Sequence, residues 1–204
     1  NMRGTTRLHL AAMRGDEVEV ARQLRLGADV DERVKSDEGY SPEWGSTPLH
    51  YAAMGGHEAV ARRLIEAGAD AKAANERGAT PLHYAGRSAA VVNVLLGAGA
   101  SATAADRAGR TPLHWAAALP DVDDGAVSVL AKTGSVVNAT DHHQRTPLHD
   151  AAHTGAASSV SMLLDQKANA DAGDELGVTP LHLAAKRGDA AAVGKPLGAT
   201  ADPN

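Results

Sequence analysis

The chain has 204 residues, with 20 Lys and Arg against 25 Asp and Glu; 43% of residues are hydrophobic but only 2% aromatic, and Phe and Cys are absent. Without cysteine there are no disulfides, thiolate metal sites or cysteine nucleophiles, and a formal charge of −5 offers nucleic acid no bulk attraction. A core built from Ala, Leu and Val suits thin, closely packed helices rather than one large globule.

No run of about 18 apolar residues occurs, so no membrane span is expected. Residues Asn1 to Arg7 carry no hydrophobic signal core. Together with the cysteine count, this predicts an intracellular, cytoplasmic protein.

The first predicted helix follows "TTRLHLAA", which starts at Thr5. Thr6 suits an N-cap, because its hydroxyl can accept from the free N–H groups of the first turn. Gly15 lies nine residues later and suits a tight turn into a second helix ending near Gly27. A polar stretch follows, "DERVKSDEGYSPEWGS" from Asp31, containing Gly39, Tyr40, Pro42 and Trp44. It reads as an extended loop over about 31–45. Trp44 is either a partly exposed partner anchor or folded back on its own unit.

"STPLHYAA" at Ser46 opens the next pair, where Pro fits the first helical position. Its second helix, "EAVARRLIEAGAD", places Val60, Leu64 and Ile65 on one face and ends at Gly68. "DAKAANERG" then turns the chain. "ATPLHYAG" at Ala79 precedes a joint, "AGRSAAVV", that has lost its turn glycine. The "GAGA" at Gly97 to Ala100 falls at a helix end and is no phosphate loop. "RTPLHWAA" at Arg110 leads into "ALPDVDDGAV", where Pro120 breaks the joint, and Gly134 ends the following helix. After "RTPLHDAA" at Arg145, Lys167 stands where a helix-ending glycine is expected. "VTPLHLAA" at Val178 begins the last unit, in which Pro196 and Thr200 both weaken the second helix.

Six threonines therefore align, Thr6, Thr47, Thr80, Thr111, Thr146 and Thr179, at spacings of 41, 33, 31, 35 and 33. A period near 33 carrying "TPLH" is highly specific. Across essentially the whole chain the sequence resembles the ankyrin repeat family. The resemblance implies an all-α fold, an ankyrin-repeat solenoid of helix-turn-helix units joined by β-turn or hairpin loops. Residues 1–204 form a single domain, with repeats near 1–33, 42–74, 75–105, 106–140, 141–173 and 174–204.

"DHHQRTPLHDAAH", from Asp141 to His153, holds four histidines and two aspartates. Family resemblance gives the "LH" histidines, His9, His50, His83, His114, His149 and His182, a structural role in bonding the turns that link repeats. Equivalent histidines of stacked repeats lie about 10 Å apart, too far to share a zinc ion. His142, His143 and His153 remain. Solvated surface or partner contact is the reading preferred over a His-only metal site completed by Asp150. The "HDAAH" lacks the glutamate of a zincin helix, and no P-loop, GxGxxG or GxSxG occurs. No metal, cofactor or enzymatic activity is expected.

Tyr51, Tyr84 and Trp115 occupy one place, just after the histidine, in successive repeats. They are either packed between helices or a stripe for stacking a partner. In the family, turn tips and the ends of first helices face the binding groove. Those places hold the cations Arg3, Arg14, Arg77, Arg87, Arg107, Arg110, Arg145, Lys186 and Arg187 against Glu43, Glu76 and Glu175. That count gives a groove of +6, with Asp106, Asp141 and Asp174 treated as structural turn residues.

The resulting expectation is a non-catalytic protein-protein interaction module, monomeric, binding another protein or peptide with an acidic surface along a concave groove. The residues expected to contact it are Trp44, Arg77, Arg87, Arg107, Arg110, His142, His143, Arg145, His153, Lys186 and Arg187. The alternative is a recruitment or targeting domain of a larger, possibly catalytic, protein. Nucleic acid and membrane are not expected partners.

Overall fold

Thr6, Thr47, Thr80, Thr111, Thr146 and Thr179 each hold extended backbone immediately before a helix. At all six the capping is reciprocal: the threonine side chain turns to the histidine N–H three residues on, and the histidine ring turns back to the threonine N–H. The "T-P-L-H" string is thus a helix start signal with histidine in the place usually held by Glu or Gln.

The computed structural model describes residues 4–35, 44–120, 124–133 and 137–188, and among these all regular structure is helical. The first helices are α1 (Arg7–Arg14), α3 (Pro48–Met54), α5 (Pro81–Tyr84), α7 (Pro112–Ala117), α9 (Pro147–Thr154) and α11 (Pro180–Arg187). The second helices are α2 (Glu17–Arg25), α4 (Glu58–Glu66), α6 (Ala89–Gly97), α8 (Asp124–Lys132) and α10 (Ala157–Asp165). α1 packs on α3, α3 on α5, and so on to α11; α2 to α10 pack in the same order. The stack has two layers, and each unit leans mainly on its neighbours. Most of the expected loop at 31–45, including Tyr40 and Pro42, and the expected defects at Pro196 and Thr200 lie outside the described residues. So do Arg3, Glu43 and Gly134.

The core is aliphatic. Leu8, Leu49, Leu82, Leu113 and Leu148 repeat along the first helices, and Leu64, Leu95, Leu130 and Leu163 along the second, all buried. Small residues let these thin layers approach. A Cβ at Gly86 would lie 2.8 Å from the Cα of Ala116 in the next unit, so only glycine allows this contact.

The shortened joint after Tyr84 has a local answer. α5 is only four residues long and tightens into a 3-10 turn, Ala85–Arg87. Ser88 then caps α6 by accepting from the Val91 N–H at 3.3 Å. The usual glycine turn is replaced by a serine cap, and the stack continues.

Two residues other than glycine adopt positive φ among the described residues: Lys167 at 64° and Gln144 at 61°. The first is the expected helix end without its glycine. The second, at a hairpin tip where Gly78, Gly109 and Gly177 serve elsewhere, was not anticipated from the sequence.

Candidate functional site

Between units the chain makes tight hairpins, and their geometry starts with one acidic or amide residue. Asp106 Oδ1 accepts the N–H groups of Ala108 (2.8 Å) and Arg110 (2.9 Å). Asp141 does the same for His143 and Arg145, Asp174 for Leu176 and Val178, and Asn75 for Arg77 and Ala79. Such side-chain-to-backbone bonds close the turn without strand pairing. The tips then bond to one another: Glu76 N–H to the Trp44 carbonyl (3.0 Å), Arg107 to Arg77 (2.8 Å), His142 to Ala108 (3.0 Å) and Glu175 to His143 (3.1 Å). The tips form a continuous row, which fixes the spacing of every side chain they carry.

Beneath the tips runs the histidine ladder. A backbone N–H can only donate, so the Thr146 N–H at 3.1 Å makes His149 Nδ1 an acceptor and places the ring proton on Nε2. Nε2 donates to the Val178 carbonyl of the next unit at 2.9 Å. The same bond joins His9 to Ser46, His50 to Ala79, His83 to Arg110 and His114 to Arg145, at 3.0–3.2 Å. Burial pushes all five below the usual histidine range, His50 to about 4. His149 therefore has both ring nitrogens committed to the fold. Among the described residues no cluster of three or more His, Asp or Glu could hold a metal ion.

The aromatic residues after these histidines are packing groups. Tyr51 is buried edge-on to His9, Tyr84 lies edge-on to His50, and Trp115 to His83, with ring centroids 5.7–5.9 Å apart. Tyr84 and Trp115 also meet each other at 5.0 Å. Trp115 Nε1 donates to Asp106 Oδ2 (2.9 Å), and the Tyr84 hydroxyl accepts from Asn75 Nδ2 (3.0 Å).

The expected contact residues divide into groups. Arg77, Arg107 and Arg110 line one concavity of about 380 Å³ with Trp115. Arg110 is also ion-paired, Nη2 to Asp150 Oδ2 at 2.8 Å, and Arg145 Nε lies 3.5 Å from Asp174 Oδ2. These two guanidiniums are balanced within the chain, so the +6 of the sequence count overstates the charge offered to a partner. The count missed Asp150, which stands one repeat after Trp115 in the aromatic column; a carboxylate there, one unit beyond Arg110, was the signal to read.

His142 and His143 are exposed on the tip row, and His143 Nδ1 meets Glu175 Oε1 at 3.0 Å. Arg187, on the last turn of α11, donates to the His153 carbonyl at the end of α9 (3.2 Å), a cation placed at a helix C-terminus. Arg87 and Lys186 are exposed at the ends of their first-helix segments. Trp44 is half-buried and packs against the core, with its carbonyl in the tip row. Sequence reasoning also passed over His57, whose Nε2 donates to the Met13 carbonyl (3.1 Å) and ties α4 to the end of α1.

A family model described as "Ankyrin repeats (3 copies)" matches residues 8–106, 86–174 and 113–195. The chain belongs to the ankyrin repeat family. Among solved structures, the human ASB11 ankyrin repeat domain is similar at a TM-score of 0.81 and 27% identity, over 97% of this chain and 85% of that one. No curated protein matches the sequence. Ankyrin repeats are generally protein–protein interaction modules and typically non-catalytic. No described helix of this ankyrin stack is long and apolar enough to cross a membrane.

Proposed function

We propose that this ankyrin stack is a non-catalytic module that holds an acidic protein or peptide across its hairpin tips and first helices. One contrast carries the reading. On the second helices three of the five cations are paired, through Arg22–Glu19, Arg62–Glu58 and the inter-unit pair Arg63–Glu17, each at 2.7 Å, and Arg25 and Lys132 stand on a layer that also carries Glu66 and Asp165. On the tip and first-helix side, Arg87, Arg107 and Lys186 are exposed and make no ion pair among the described residues. Exposed cations that the fold does not use steer an acidic surface and raise its on-rate.

Photo-crosslinking residues at positions 87 and 186, compared with position 62 on the second-helix side, test this directly. Crosslinked partner is expected from the first two positions. Crosslinks from position 62 alone would move the interface to the opposite layer.

A further inference from the structure

Two of the cations left unpaired lie close together on the tip row. Two concavities adjoin along the tip row, of about 380 and 570 Å³, and both are lined by Glu76 and Arg107. Arg77, Arg110 and Trp115 complete one, and Arg33 and Lys35 line the other. The charges can be cancelled in turn. Lys35 pairs with Glu32 at 3.1 Å and Arg110 with Asp150. Asp106 keeps its charge, but both its oxygens are turned onto the fold, accepting from two backbone N–H groups and the Trp115 indole. Arg33 and Arg107 then have no ion-pair partner among the described residues, and Glu76 is the one acid in the trough not otherwise engaged by a side-chain bond.

Arg33 is held for use. Its Nη1 donates to the Gly45 carbonyl (3.1 Å) and the Ala74 carbonyl (2.7 Å), which fixes the guanidinium without cancelling its charge. A fixed planar guanidinium keeps further N–H donors for a second oxyanion and loses little entropy on binding one. Arg107 is fixed differently, through its backbone N–H on the Arg77 carbonyl, with its side chain exposed. Two cations lining one trough with Glu76, and an indole lining the concavity that adjoins it, suit an extended segment carrying spaced anionic groups.

We infer that this trough, between Arg33 and Arg107, is the anchor for an acidic peptide segment, whose anionic group is a carboxylate or a phosphoryl. The inference rests on the binding role proposed above and assigns it a place, the tips of the N-terminal half.

Trp115 and Trp44 are the two tryptophans of the chain, one lining the trough and one bonded to it through its carbonyl, so their fluorescence reports occupancy. The intact chain is titrated with a short Glu-rich peptide and with the same peptide carrying phosphoserine. Saturable binding is expected, weakened about ten-fold by Arg107→Glu or Arg33→Gln and less than about two-fold by Lys132→Glu, which alters charge on the second-helix side. Circular dichroism checks that each variant is folded. Competition by inorganic phosphate assigns the site to phosphoryl groups; equal binding of the unphosphorylated peptide without competition assigns it to carboxylates. If Arg87→Glu and Lys186→Glu weaken binding while Arg107→Glu does not, the trough is overturned and the wider surface stands. Random duplex DNA binding more tightly than either peptide would overturn it in favour of nucleic acid.

Discussion

Arg110 and Asp150 are 40 residues apart in sequence and 2.8 Å apart in space, an ion pair between the hairpin before α7 and the first turn of α9. Their side chains are 30% and 16% exposed, so the pair is only partly screened by solvent. Arg110→Glu would set two carboxylates against each other there. A loss of about 1–2 kcal/mol is expected, read as a lower urea midpoint. The exchanged double variant, Arg110→Asp with Asp150→Arg, should recover most of it. A single variant as stable as the parent would mean that the pair carries no net energy.

Much of this stack was legible in the sequence because its signals are local. A Thr-Pro start, a Leu-His step and a glycine nine residues on each act through backbone geometry within one helix. The histidine roles followed from the resemblance, and five of the six match the bonds found, from His9 to Ser46 through His149 to Val178; among the described residues His182 bonds only its own cap, Thr179. What was not legible lies between repeats. The Asp150 carboxylate meets Arg110 only because the units stack, and Arg33 is pinned by Gly45 and Ala74 across two turns. Gln144 was passed over because its left-handed backbone follows from the hairpin type, not from its own chemistry.

The histidine ladder makes stability depend on pH. In the folded chain burial lowers the pKa of His9, His50, His83, His114 and His149, His50 from 6.5 to about 4. Each therefore binds its proton more readily when unfolded. The stabilisation is fully present above pH about 6.5 and is lost as pH falls towards the folded values. At about 1.4 kcal/mol per pKa unit, His50 alone contributes on the order of 3 kcal/mol. The expected result is a urea midpoint that falls steadily between pH 6.5 and 4. A flat midpoint across that window would show that the ladder is not held neutral.

Gln144 and Lys167 hold φ values of 61° and 64° that cost a residue with a Cβ about 1–2 kcal/mol. Glycine removes the clash but loses some of the gain to its more flexible unfolded chain. Gln144→Gly and Lys167→Gly should each stabilise by about 1 kcal/mol, or about 2–4 °C in Tm for a chain of this size. One lies at a hairpin tip and the other at the end of α10, so their effects should add. Calorimetry of both single variants and the double checks this.

These two positions share the α9–α10 unit with a third defect. Ser159, on α10, is buried with its Oγ lacking a hydrogen-bond partner among the described residues, at the place where α4 and α6 carry Val60 and Val91. An unsatisfied buried hydroxyl costs about 1–3 kcal/mol. In a stack where units lean on neighbours, such costs lower the free energy of local opening rather than spreading over the whole chain. The amides of α9 and α10 should therefore exchange with solvent faster than those of α3, α4 and α7. Ser159→Ala combined with the two glycine substitutions should slow that exchange towards the rate of the central units, with little change in α3. Amides of α9 and α10 as protected as those of α3 in the parent chain would mean that the flanking units hold this one closed regardless of its defects.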